Sequence, residues 1–476
     1  MDRVPSTGVA RSLRGGGASW VADARLMALK VGDYWRYFWN QPLSFILASA
    51  YMFFEYYRPQ SIYPSLAILP WASLCLFGGL AALLFEGGLP LRARSPVSPL
   101  LVVFSVVVFA SMLGAWEPAL SWEKWEDYWL WLPVYVLIVG TVKSFRSLML
   151  FVALFVMWNA KMSLSGVKQW AGNGFHFRSW GVLGAPGPFN NSGEFGIEMV
   201  VYFSILTMVL LAMWPRLTML KRLAIVGVIL SAVLSVVASS SRGAIGALGL
   251  SSGFIVLFSR HRVRALIGMF VLSGVLFVLT PPEFKARFTT VGEDKSSTTR
   301  ALYRSRGMEI MKSYPGLGVG YGNWMGYYRH RFGEVGQVPH NIYIQAGAEL
   351  GVTGLVAFLA LVVAAFRTNR RTRKVALALQ LSGAEHATML RNLAIGLDAG
   401  QLGFLGAGYF VTVLYYPFFW VSLALTSALH AVALQESQVN GILPSVSGHV
   451  PERRSAPRRP SEGHRKLRRP GLPPRG

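Results

Sequence analysis

Apolar runs of membrane-spanning length recur along the chain at roughly 43–57, 66–85, 97–115, 128–142, 146–165, 195–214, 223–240, 243–259, 265–282, 341–366, 393–413 and 415–434. A hydrocarbon layer needs about 20 apolar residues in a helix to cross it, and a helix satisfies every backbone group within its own segment. The pattern predicts an all-α integral membrane protein of about 12 transmembrane helices, with one or two of the shorter runs open to a re-entrant reading. Only 14% of the 476 residues are charged, against about 25% in soluble domains. Two or three soluble domains are excluded.

The formal charge of +24 does not indicate nucleic acid. Lys and Arg gather in every second loop: Arg92 and Arg94; Lys143 and Arg146; Arg216, Lys221 and Arg222; Arg260, Arg262 and Arg264; then Arg367 to Arg391. That alternation follows the positive-inside rule and sets both termini in the cytoplasm. Residues 1–42 are a basic cytoplasmic segment without the apolar core and cleavage site of a signal peptide. Helices 1–9 then occupy 43–282, a large external loop 283–340, helices 10–12 341–436, and a basic, proline-rich tail 437–476 reads as disordered near anionic lipid. The lone cysteine, Cys75, sits in an apolar run and forms no intramolecular disulfide.

The external loop is too long for a connector, so it is where function is expected. Arg242 follows Ser239, Ser240 and Ser241 at an external helix end, where the positive-inside rule gives it no reason to be. A guanidinium at the membrane boundary either meets an anion or snorkels to lipid phosphate. Gly243, Gly246 and Gly249 behind it would let a neighbouring helix approach. In the loop, a helix is expected over Thr298 to Lys312, which would put Arg300 and Arg304 on one face. With Arg242 they make a clamp for a diphosphate, because the planar guanidinium binds phosphate oxygens bidentately. For Arg304, salt bridges to Asp294 or Glu309 are an equal alternative.

His340 stands where the loop re-enters the membrane, preceded by Pro339 and followed by Asn341. An imidazole there can take a proton from an attacking hydroxyl without a metal; the alternative is a plain interfacial histidine. No second ligand stands at zinc spacing, so no metal or other cofactor is expected. Asn341 and Glu349 are supporting residues. Glu349 lies about half a turn off the His340 face and is expected to bond within the bundle. The intramembrane acids Glu55, Glu194, Glu198 and Asp398 are either functional or ion-pair partners, for instance to Lys161 or Arg178.

Three pieces in this order, SSSRGA (Ser239 to Ala244), PGLGVGYGNW (Pro315 to Trp324) and HNIYIQAGAELGVTGLVAF (His340 to Phe358), resemble the O-antigen ligase and polymerase superfamily of bacterial membrane glycosyltransferases. The stretches Ser44 to Ala72 and Gly184 to Gly196 look like a subgroup of putative O-glycosylation ligases that accompany exosortase and exopolysaccharide systems. The resemblance implies a multi-helix protein of the inner membrane that moves a glycan from an undecaprenyl-diphosphate carrier to an acceptor hydroxyl at the periplasmic face, inverting and metal-free. It assigns His340 as general base and Arg242 and Arg300 as holders of the donor diphosphate; Arg304 joins them from helical spacing. The acceptor is left open between lipid, protein and growing polysaccharide, and a polymerase of the same fold differs only there. A glycolipid transporter or flippase is the rival class, although no internal repeat is visible and the chemically suspicious residues gather at one face. A sensor with a glycan-binding loop is a third reading.

Overall fold

The structure, a computed structural model, describes residues 26–88, 95–176, 181–259, 262–279, 295–334, 337–384 and 386–442. Seventeen helices are labelled here: α1 Val31–Trp39, α2 Leu43–Met52, α3 Trp71–Phe85, α4 Val97–Leu113, α5 Pro118–Glu123, α6 Glu126–Trp129, α7 Trp131–Thr141, α8 Phe145–Gly172, α9 Ser192–Met213, α10 Met219–Ala238, α11 Arg242–Leu257, α12 Arg262–Leu279, α13 Lys295–Ser313, α14 Trp324–Phe332, α15 Ile342–Leu381, α16 Ala387–Gly408 and α17 Pro417–Val439. There is no strand among the described residues. Each apolar run lies on one of these helices, yet length and composition license six crossings: Pro64–Phe85, Phe145–Gly172, Ser192–Arg216, Met219–Ala238, Ile342–Leu381 and Pro417–Val439. Val97–Leu113 and Arg242–Leu257 are shorter apolar helices.

Helix starts are written in small polar residues. Ser144 and Ser147 form a capping box at α8, Asn191 caps α9, Ser241 caps α11 and Asn341 caps α15, each side chain accepting from backbone amides the helix itself leaves unpaired. The centre of the bundle is α9, α15, α16 and α17. Its tightness comes from α16: Cβ atoms built at Gly396, Gly400 and Gly403 would lie 3.0 Å from the Ser204 carbonyl oxygen, 3.3 Å from Val201 Cα and 2.3 Å from Ser251 Oγ. Small residues there bring the backbones of α9 and α11 close, the usual device for packing helices in lipid. The sequence reading assigned this role to Gly243, Gly246 and Gly249. Only Gly243 takes it, against Phe410 at 3.2 Å, while Gly246 and Gly249 face open space among the described residues.

Asp398 is fully buried and pairs with Arg373, with Asn369 Nδ2 donating to its other oxygen at 2.8 Å. The suggested partners for such acids were Lys161 and Arg178. Lys161 instead lies 4.3 Å over the ring of Tyr57, and Arg178 is outside the described residues. Within the expected polar segment 1–42, α1 is an amphipathic helix with Val31, Trp35 and Trp39 exposed, the pattern of an interfacial helix. Lys221 Nζ at the start of α10 donates to the Ala28 and Leu29 carbonyls just before it, at 2.7 and 2.9 Å. The expected tail boundary at 437 falls inside α17, which runs to Val439; residues 443–476, like 280–294 of the long loop, are outside the described residues.

Candidate active site

Asn341 shows why the backbone at the start of α15 is fixed. Its Oδ1 accepts from the amides of Tyr343 (2.9 Å) and Ile344 (3.0 Å), and its Nδ2 donates to the carbonyl of Tyr409 (3.2 Å). Tyr343 Oη donates to the Leu405 carbonyl at 3.0 Å. The α15 N-terminus is thus bonded on two sides to the end of α16. His340, immediately before the cap, takes a left-handed backbone with φ 49°, a conformation that costs a non-glycine residue about 1–2 kcal/mol. Its amide donates to Thr412 Oγ1 at 2.7 Å. Strain held by flanking bonds in this way points to a residue whose placement matters.

α13 runs across this point. Tyr303 and Ile310 bury themselves with Trp324 and Tyr328 of α14 and Ala348 of α15, and Gly307 lies so close to Ile344 that a Cβ would approach its Cγ2 to 2.2 Å. The register puts the Arg304 guanidinium over the ring of Tyr409, 5.2 Å from its centroid. Arg300, one turn earlier, is near enough to act on His340: burial first, and then the Arg300 charge, holds the imidazole below its ordinary pKa. His340 is therefore neutral at neutral pH and able to accept a proton. Glu309, offered as a partner for Arg304, pairs with Arg331 at 3.4 Å, and Asp294 is outside the described residues.

Arg242 is the first residue of α11. The preceding serine turn is fixed by the 181–193 segment: Val182 donates its amide to the Ala238 carbonyl (2.9 Å), and Gly193 fits between Val411 and Ser241. With Gly243 on Phe410, the end of α11 that carries Arg242 abuts the same link between α16 and α17 that contacts Asn341, His340 and Arg304. Among the described residues no three His, Cys, Asp or Glu side chains converge as a metal-ligand set.

The glycine loop 315–322 completes the site from the other side. α15 is broken at Gly351, whose φ 70° and ψ −172° are not helical, and the loop docks into the break. Val352 donates to the Pro315 carbonyl (2.8 Å), Val319 to Ala348 (2.9 Å) and Gly320 to Glu349 (3.0 Å). The Glu349 side chain accepts from the Trp324 amide at 3.4 Å. Beyond the loop, buried Asn323 bonds Ser121 Oγ (2.8 Å) and the Glu117 amide (3.0 Å), tying it to α5. Sequence reasoning did not find Tyr409, Thr412 or Asn323. The first two lie some seventy residues from the motif they support, and only Asn323, inside the GYGNW run, carried a local signal.

Residues 226–359 match the O-antigen ligase family. Over that segment the chain is similar to O-antigen ligases. The matched segment runs from α10 into the broken α15 and contains Arg242, Arg300, Arg304, His340, Asn341 and Glu349. No curated protein matches the chain. With six helices among the described residues long and apolar enough to cross a membrane, the match points to a membrane protein with an enzymatic role in glycan assembly.

Proposed function

We propose that the protein is an inner-membrane glycan ligase that transfers a saccharide from an undecaprenyl-diphosphate carrier to an acceptor hydroxyl at the periplasmic face, with twelve crossings or re-entrant segments and both termini cytoplasmic. The observation that carries this reading is His340, held in a left-handed backbone between Asn341 and Thr412 with its imidazole neutral beside Arg300. In the transfer, the acceptor oxygen bonds to the sugar's anomeric carbon from the face opposite the diphosphate, inverting it. Its proton passes to the imidazole of His340. The bond from that carbon to the diphosphate oxygen breaks, and the charge left on the diphosphate is met by Arg242, Arg300 and Arg304. No metal takes part.

Arginine stabilisation of a leaving group is worth on the order of 10²–10³ in turnover per donor removed, and general-base catalysis about 10²–10⁴. The test is release of undecaprenyl diphosphate from a glycan-loaded carrier by purified protein in lipid, with chelator present and several acceptors supplied. Release by the native chain, lost in His340→Ala and in Arg242→Ala while both remain folded, is the expected result. Transfer of intact glycolipid across the bilayer would overturn the reading in favour of a flippase. Product length separates single ligation from polymerisation.

A further inference from the structure

Pro339, next to His340 in the chain, and Thr412, which accepts from the His340 amide, form part of the wall of a cleft of about 620 Å³, a size within the range of ligand sites. Its lining includes four carboxyl side chains, Glu55, Glu126, Asp127 and Glu349, against two cations, Arg58 and Lys124. Aromatic faces come from Tyr321, Trp324 and Tyr416. Two buried atoms on lining residues have no hydrogen-bond partner among the described residues, Arg58 Nε and Gln345 Oε1, whereas the carboxyl of Glu349 and the hydroxyl of Tyr415 face each other. Buried polar atoms are costly when unmet, so such a set points to a ligand that completes it.

The chemistry of those atoms selects the ligand. Arg58 Nε is a donor only and the Gln345 oxygen an acceptor only. An ionised phosphate accepts but has no proton for the Gln345 oxygen, and it would face four carboxyl groups across the cleft. An ammonium donates but cannot serve Arg58. A saccharide hydroxyl does both, and the C–H face of a sugar ring packs on an aromatic side chain.

We propose that this cleft is the acceptor site, and that it takes the uncharged, hydroxyl-rich end of a saccharide chain rather than a phosphorylated one. The inference rests on the transferase reading above, which it completes: donor diphosphate at the arginines, acceptor sugar in the carboxylate-lined cleft.

The test is calorimetric titration of the full-length protein in lipid nanodiscs with neutral tetrasaccharides built from glucose, galactose, mannose and N-acetylglucosamine, and with the same compounds carrying a 6-phosphate on the non-reducing sugar. At least one neutral compound should bind, with its phosphorylated form weaker by on the order of tenfold. The paired changes Glu126→Lys and Asp127→Lys should erase or reverse that preference, a gain of phosphate binding that misfolding cannot produce. Equal or tighter binding of the phosphorylated forms by the native chain, or no binding of any neutral compound, would overturn the proposal. Carrier release, measured in parallel, separates the two readings. Release only with phosphorylated acceptors sinks the acceptor assignment and leaves the transferase, whereas saccharide binding in the cleft with no release under any condition sinks the transferase and leaves a saccharide site.

Discussion

Replacing Gly351 by alanine tests whether the docked glycine loop is what organises the site. At φ 70° and ψ −172° the backbone is in a region open almost only to glycine, and a side chain there costs about 1–3 kcal/mol. The added Cβ would also lie 2.3 Å from the Gly316 carbonyl oxygen, 2.6 Å from its carbon and 2.7 Å from the Gly318 nitrogen. All three are backbone atoms, so relief requires the loop to lift. Lifting breaks the hydrogen bonds Val352 to Pro315, Val319 to Ala348 and Gly320 to Glu349, worth about 1 kcal/mol each. Once the loop lifts, what is lost is the docking those three bonds support, about 3 kcal/mol together, which at 1.4 kcal/mol per tenfold is on the order of 10² in protection. Hydrogen exchange of residues 315–323 in nanodiscs, read by mass spectrometry, should accelerate by that factor, and carrier release should fall with it. Gly333→Ala is the control: it also has a positive φ, of 67°, but nothing within 4 Å among the described residues, so it bears only the conformational cost of about 1–2 kcal/mol. Unchanged protection of 315–323 in Gly351→Ala would refute the idea that the loop is clamped into the break.

Because the His340 imidazole is depressed below its ordinary value by burial and by Arg300, carrier release should be full at neutral pH and fall on acidification through a midpoint below 6.5; Arg300→Gln should move that midpoint upward, and a pH–rate profile with an unmoved midpoint would contradict the pairing. Asn341→Ala removes the α15 cap, costing about 1 kcal/mol of stability while lowering turnover far more, because His340 loses its anchor; Asn341→Asp, which keeps the accepting oxygen, should recover the thermal midpoint but not the bond to Tyr409. Asp398→Ala leaves the half-buried Arg373 and the buried Asn369 amide without their acceptor and should destabilise by about 1–3 kcal/mol in a detergent melt. The double change Arg373→Met with Asp398→Leu should restore most of it, and additive losses would show that the pair is not the cause.

Much of this arrangement is legible in the sequence, for physical reasons that also set the limits. Arg242 stands out because the positive-inside rule gives no reason for an arginine at a helix end that the charge pattern of the loops assigns to the outside. Arg300 and Arg304 stand out because a four-residue spacing shares a helix face. The helix expected over 298–312 is observed as Lys295–Ser313. The break at Gly351 is not legible, since the apolar run 341–366 reads as one continuous helix and a single glycine is tolerated inside many helices. Nor are Tyr409 and Thr412, which gain their meaning only from the packing of α16 beside α15. The same holds for Asp398 and Arg373: hydropathy marks a buried acid as costly, but only helix packing decides which cation meets it.

The short 409–412 stretch gives Tyr409 to Arg304 and Asn341 on one side and Thr412 to His340 and the cleft on the other. In the transferase reading both substrates therefore press on one shared wall. A ligand that stiffens it from either side spares the other part of the ordering entropy, so occupancy should be synergistic. By linkage, the factor by which carrier tightens saccharide must equal the factor by which saccharide tightens carrier.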